Sequence, residues 1–115
     1  MRRLRLSEPA SSDIDRIWWY TYDRYGMEQA DDYDTLIWQA LEDIEENPDR
    51  PTSRPEPGIG PNVRSYHISL SKKRSGTHIR KPRHVVFYTL VYEDEIFVMR
   101  IIKDDMDVQR HLFDA

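Results

Sequence analysis

The feature that most constrains this chain is an apolar stripe of helical period running from Ile14 to Ile44, broken once at Gly26. Ile14, Ile17, Trp18, Thr21, Tyr22 and Tyr25 form its first part; Ala30, Tyr33, Ile37, Ala40, Leu41 and Ile44 form the second. Recurrence at three and four residues lays each set along one side of an α-helix. Ser7 is a capping residue, and Pro9 is tolerated in the first turn, where its missing N–H would be unpaired anyway. Gly26 supplies a left-handed stop, and Asn47-Pro48 ends the second helix. Two amphipathic helices joined at one glycine make an antiparallel hairpin. Its apolar side has nothing of its own to cover it, so the rest of the chain must supply a sheet.

Strand signals are present on both sides of the hairpin. Arg3 to Leu6 alternates charged and apolar residues, which predicts a short strand at a sheet edge. Residues 48–61 hold five of the seven prolines with Gly58 and Gly60, an ordered loop. Val63 to Leu70 alternates, with Tyr66, Ile68 and Leu70 on one side and Ser65, His67 and Ser69 on the other. His84 to Tyr92 is apolar on both sides, as expected of a central strand. Ile96 to Ile102 pairs with it through Glu93-Asp-Glu95. Asp107 to Phe113 is predicted as a short final helix capped by Asp107. The expected class is α+β: an N-terminal strand, an antiparallel helix hairpin packed on a small, mostly antiparallel sheet, and a short C-terminal helix. With 115 residues, one domain is expected over 1–115. It divides into a strand (1–6), a helix hairpin (7–47), a Pro-rich loop (48–62), a three-stranded sheet (63–102) and a C-terminal segment (103–115).

Several function classes fall away on composition. The chain has no cysteine, which excludes disulfides, thiol chemistry and Cys-based zinc sites. His67, His78, His84 and His111 do not fall at metal-ligand spacings, so neither metal nor cofactor is expected. Gly58-Ile-Gly60 lacks the strand-to-helix context of a dinucleotide site. No apolar run approaches the roughly 20 residues of a membrane span. The N-terminus has no apolar signal region, so a cytoplasmic protein without membrane contact is expected. Residues 1–57 carry 7 Lys+Arg against 14 Asp+Glu, net −7; residues 58–115 carry 10 against 7, net +3. A general nucleic-acid binder is usually basic, so direct sequence-specific recognition of nucleic acid is not expected.

Local features leave alternatives open. Lys72 to Arg83 carries six cations and no acid. It either grips phosphates or an acidic partner, or is a solvated hairpin tip. Trp18 and Trp38 are expected to dock on the sheet, whereas Trp19 must point elsewhere and is the better interface residue. The acids of Glu42 to Glu46 read as the wet face of a helix.

Four segments in order carry a resemblance: Arg64-Ser-Tyr66, Arg83-His-Val-Val-Phe-Tyr88, Arg100-Ile-Ile102 and Met106-Asp-x-x-Arg-His111. Ile17-Trp18 within helix one, Tyr25-Gly-x-Glu-Gln-Ala30 at the turn and Glu46-Asn-Pro48 after helix two extend it over nearly the whole chain. This series resembles the ParE branch of the RelE/ParE toxin superfamily. The resemblance implies a type II toxin bound by a ParD-like antitoxin, whose C-terminal segment wraps it in a hetero-oligomer. It also implies DNA gyrase as target and no catalysis. On this reading the target or antitoxin surface comprises Trp19, Arg64, Arg83, His84, Arg100, Met106, Asp107, Arg110 and His111. Related toxins are ribosome-dependent mRNA endonucleases. For that activity the candidate catalytic set is Arg64, Arg83, Arg100, Lys103 and His111, cations that would stabilise a phosphorane. Those nucleases place basic and aromatic groups where the last strand ends, and this chain has Asp104-Asp105. A binding module of the same fold without toxicity is the third class.

Overall fold

The computed structural model describes residues 3–92 and 94–108. β1 (Arg3–Leu6) leads into α1 (Glu8–Tyr25) and α2 (Met27–Glu46). β2 (Arg54–Pro55), β3 (Val63–His67), a 3-10 turn (Ile68–Ser71), α3 (Lys72–Ser75), β4 (His84–Tyr92) and β5 (Glu95–Lys103) follow. The five strands lie in the order β1-β5-β4-β3-β2. β1 runs parallel to β5, from Arg3 opposite Glu95 to Leu6 opposite Val98, and the other pairings are antiparallel.

The hairpin forms for the reasons its sequence gives. The Ser7 hydroxyl oxygen accepts from the Ala10 N–H at 3.0 Å and so caps α1. Gly26 has φ +93°, a conformation other residues rarely adopt, and serves both helices at once. Ile14 and Ile17 from α1 and Leu36, Ile37, Ala40 and Ile44 from α2 pack on Tyr66, Val86, Tyr88, Ile96, Val98 and Ile101 of the sheet. Each fully buried Leu or Ile there contributes about 1.5–3 kcal/mol. Phe87 lies opposite Arg100 but Tyr88 lies opposite Val98, so Met99 is an extra residue. The bulge advances the pleat, which is why Val98 and Ile101, three apart, both reach the core.

Five expectations are corrected. The strand predicted over Val63 to Leu70 ends at His67, where the ring accepts the Ser69 N–H at 3.2 Å and starts a 3-10 turn. Ile68 is buried in that turn, and Leu70 is exposed. The predicted strands, one at the N-terminus and three within residues 63–102, are joined by a fifth, the two-residue β2 in the stretch expected to be loop, which extends the sheet beyond β3. The basic stretch from Lys72 is not a hairpin tip. Its first turn is α3, Arg74 pairs with Asp43 and Glu46, and Ile79 is buried. Neither Trp18 nor Trp38 docks on the sheet: Trp18 stacks on Tyr22 and donates to Asp31, and Trp38 is exposed. The α2 positions in the core cluster hold Leu36, Ile37, Ala40, Leu41 and Ile44 beside Tyr33, so aliphatic residues rather than tryptophans fill the space against the sheet. Finally, Asp43 is not on a wet face. It is 1% exposed and accepts from Ser71 Oγ, Arg74 Nη1 and Gln39 Nε2.

The predicted C-terminal helix, with Arg110 and His111, lies outside the described residues from position 109 onward. Among the described residues, no helix is long and apolar enough to cross a membrane.

Candidate functional site

β4 begins and β5 ends at one place, with His84 opposite Lys103. Tyr33 of α2 reaches this corner. Its hydroxyl accepts from the Arg83 N–H at 3.0 Å and lies 2.6 Å from His84 Nδ1. With one lone pair taken by Arg83, the Tyr33 proton is directed to Nδ1. Burial, reinforced by the Lys103 charge, lowers the His84 pKa to about 4. The imidazole is therefore neutral at pH 7, and Nε2 is its N–H donor. Burial likewise pushes the Tyr33 hydroxyl up to about 12. The two groups form a fixed neutral pair that separates two cavities.

The larger cavity, about 570 Å³, lies between the hairpin and the crossing segment before β4. Tyr20, Tyr25 and Tyr33 form one wall, and Arg80, Lys81 and Lys103 bring charge to it. The smaller, about 310 Å³, lies between α1 and the end of β5 and is lined by Ile17, Ile102 and Met106. Arg83 borders the larger cavity but is engaged: Nε donates to Asp104 at 3.0 Å and Nη2 to Asp105 at 3.4 Å. His67 Nε2 donates to the other Asp104 oxygen at 3.0 Å, because Nδ1 is occupied as an acceptor. That bond, then Arg83, holds the Asp104 carboxyl below the usual carboxylate range.

Arg100 sits one step away and does something different. Asp13 is 6% exposed and receives Arg100 through Nε at 2.8 Å and Nη2 at 2.9 Å. The same carboxylate accepts the Ile101 N–H at 2.9 Å. β1 has stopped by then, with Ser7 N donating to Val98 O. Ser7 Oγ donates to Met99 O at 2.8 Å, and Asp13 takes the next donor. Two side chains thus continue a ladder that β1 is too short to complete.

The structure gathers Arg83, His84, Arg100, Lys103 and Met106 around this corner. It places Arg64 elsewhere, opposite Tyr88 and four residues along β4 from His84, roughly 13 Å by strand rise. There its guanidinium donates to Ser53 Oγ at 2.8 Å and Ser53 O at 3.2 Å. Trp19 is 60% exposed on α1, edge-on to Trp18 and Tyr22. Asp107 is exposed near the end of the described chain. Sequence reasoning missed Asp13, Tyr33, His67 and Asp104 as polar partners. The available signal for Asp13 was an acid inside the spacing Ala10, Asp13, Ile14, Ile17, which implies a partner across the core. Among the described residues, no group of acids and histidines is arranged to hold a metal ion.

Comparison with known proteins gives a consistent answer. Residues 4–108 match the family model described as the ParE toxin of the type II toxin-antitoxin system, parDE. The chain is 32% identical over 112 residues to Toxin ParE1 of Caulobacter vibrioides, covering 97% of this chain and 99% of that one. It is 31% identical over 110 residues to Toxin ParE1 of Mycobacterium tuberculosis, covering 96% and 97%. In fold it is similar to a solved chain titled "Chromosomal ParDE TA system from P. aeruginosa". The TM-score is 0.69 at 18% identity, over 90% of this chain and 96% of the other.

Proposed function

The chain belongs to the ParE toxin family of type II toxin–antitoxin systems, and from that premise we propose that it inhibits DNA gyrase and is neutralised by a ParD-like antitoxin. It acts in the cytoplasm by binding, without catalysis, so that broken DNA persists on the trapped enzyme. The observation that carries this reading over an mRNA endonuclease is the state of Arg64, Arg83 and Arg100, the three arginines of the candidate catalytic set. A nuclease needs cations free to meet charge developing on the phosphorane. Here Arg64 is held by Ser53 and Arg100 by Asp13. Arg83 faces Asp104 and Asp105, whose carboxylates repel a scissile phosphate. His84 is neutral and half-buried against Tyr33 rather than poised as an acid.

The antitoxin's C-terminal segment lays an amphipathic helix along the exposed aromatics of α1, with Trp19 as an anchor, and adds a strand at a sheet edge. Trp19→Ala weakens antitoxin binding at least tenfold, measured by titration of the purified pair. Asp107, Arg110 and His111 complete the target or antitoxin surface. Asp107→Ala and Arg110→Ala variants that bind antitoxin and kill as before would remove them from it.

The deciding experiment is a supercoiling assay with purified gyrase, run beside an mRNA cleavage assay on translating ribosomes. Inhibited supercoiling with accumulated cleaved DNA and intact mRNA is expected. Cleaved mRNA with normal supercoiling would transfer the assignment to the nuclease class.

A further inference from the structure

A third cavity, about 310 Å³, opens between the second half of α2 and β1, and the toxin reading makes no use of it. The α2 residues beside the larger cavity are Gln29 and Tyr33, whereas those here are Trp38, Leu41, Glu42 and Glu45. The two openings therefore lie about 15 Å apart along the helix by rise alone. Leu4 and Leu41 give this one an apolar floor. Trp38 is 47% exposed, and its indole N–H donates to the Asp34 carboxylate one turn earlier. That bond fixes the ring, and no guanidinium or second ring lies on its face among the described residues. Glu45 Oε2 accepts the Leu4 N–H at 3.2 Å, which leaves Oε1 open. Neither Glu42 nor Glu45 forms an ion pair among the described residues. Arg74, whose charge reaches Glu42, is bonded to Asp43 and Glu46. Arg3 and Arg5 alternate with Leu4 and so project from the other face of the sheet, where Arg5 pairs with Glu95. Burial, then the charge of Asp31, holds the Asp34 carboxyl above its ordinary value, as happens where acids crowd without a cation between them.

We propose that this cavity receives an arginine side chain presented by the toxin's protein target. The aliphatic stem lies on Leu4 and Leu41, the guanidinium stacks on the Trp38 ring, and its N–H groups donate to Glu42 and Glu45. A planar guanidinium satisfies both demands at once, whereas a lysine ammonium is a compact, strongly hydrated point charge with no face to stack. The proposal rests on the toxin reading and names a contact within it. The target is the bearer that charge favours. The cavity belongs to the half of the chain with net charge −7. An enzyme that holds DNA presents arginines to phosphate, so an acidic, indole-lined opening complements its surface. The antitoxin helix placed along the α1 aromatics runs elsewhere on the hairpin and leaves this end of α2 to the second partner.

The test has two arms. The first follows the Trp38 indole N–H resonance of the purified toxin during titration with N-acetyl-arginine amide, its lysine counterpart and the neutral citrulline amide. The arginine probe is expected to shift that resonance along a saturable curve, at least fivefold more tightly than either of the others. Glu42→Gln with Glu45→Gln, which keeps an acceptor for the Leu4 N–H, should abolish the preference with the circular dichroism spectrum unchanged. The second arm measures binding of purified gyrase to the immobilised toxin. The double glutamine variant is expected to lose at least tenfold in affinity for gyrase and to bind antitoxin as the parent does. Citrulline binding as tightly as arginine, or a response indifferent to the glutamine substitutions, overturns the proposal. Loss of antitoxin binding with gyrase binding intact overturns it in favour of the antitoxin as bearer of the arginine. Loss of parental self-association, with gyrase binding intact, overturns it in favour of a second copy. If the parent itself leaves gyrase unbound, the gyrase reading fails, and the amide titration still decides what the cavity takes, so the two fail separately.

Discussion

Two arginine–aspartate pairs flank the same corner, and they differ in almost everything except their chemistry. Asp13 and Arg100 are 7% and 15% exposed as side chains, and the carboxylate also serves the Ile101 N–H. Arg83 and Asp104 are 39% and 32% exposed, and they share their charges with Asp105 and His67. A buried pair has already lost its water, so removing one partner strands the other; an exposed pair trades one solvent contact for another. The first pair is therefore part of how the sheet closes. The second is a surface that a partner can rearrange at low cost.

The sharpest way to break this contrast is Asp13→Ala. It is expected to cost about 3–5 kcal/mol, read as a lower urea midpoint with an unchanged slope. Asp13→Asn should cost less, because an amide oxygen still accepts the Ile101 N–H. If Asp13→Ala is as mild as the same change at Asp104, burial is not what separates the pairs.

The next largest effect is set by pH at the Tyr33–His84 pair between them. The folded His84 pKa of about 4 lies below its unfolded value of about 6.5. The unfolded chain thus binds the extra proton first, and stability falls as pH drops from about 6.5 towards 4, by at most about 1.4 kcal/mol per pH unit. Tyr33 has the opposite arrangement: its pKa is raised to about 12, so stability falls as pH climbs from about 10 towards 12. The stability profile should therefore hold a plateau between these limits, and His84→Gln should flatten its acid side.

Asp43→Asn tests the intermediate case, a carboxylate with 1% exposure whose partner Arg74 is 53% exposed. The loss should be about 1–3 kcal/mol, with α3 the first segment to lose hydrogen-exchange protection. The smallest effect is expected for Asp104→Asn, at most about 1 kcal/mol at pH 7. Because the folded Asp104 carboxyl is held low, its contribution is present above the unfolded carboxylate value and disappears as pH falls through the folded one. The variant and the parent should therefore converge in acid.

The helices were legible because periodicity belongs to one segment at a time. Ala30, Tyr33, Ile37, Ala40, Leu41 and Ile44 were read from spacing alone, and all six are buried. Partnerships across the chain were not legible in the same way. Asp13 lies 87 residues from Arg100, and Asp43 lies 31 from Arg74. An acid on an apolar face shows that a partner exists, but not which one. The end of β3 was misread because Val63 to Leu70 keeps alternating while the His67 ring captures the Ser69 N–H and turns the chain. The tryptophans were misplaced because size suggested core, whereas the space between hairpin and sheet suits Ala, Leu and Ile. At the site, the residues that cluster were found as cations; the acids and the tyrosine that set their state came only with the fold.

The pairing of β1 with β5 also has a consequence for the order in which the protein is made. Its first strand pairs with a partner that begins at Glu95. At 5–20 residues per second, roughly 5–20 s pass between synthesis of the two. The hairpin is finished early and waits with its apolar side uncovered, and Asp13 waits for Arg100. The nascent chain cannot complete its sheet until translation is nearly over. Any partner that recognises the uncovered hairpin therefore has those seconds to meet it first.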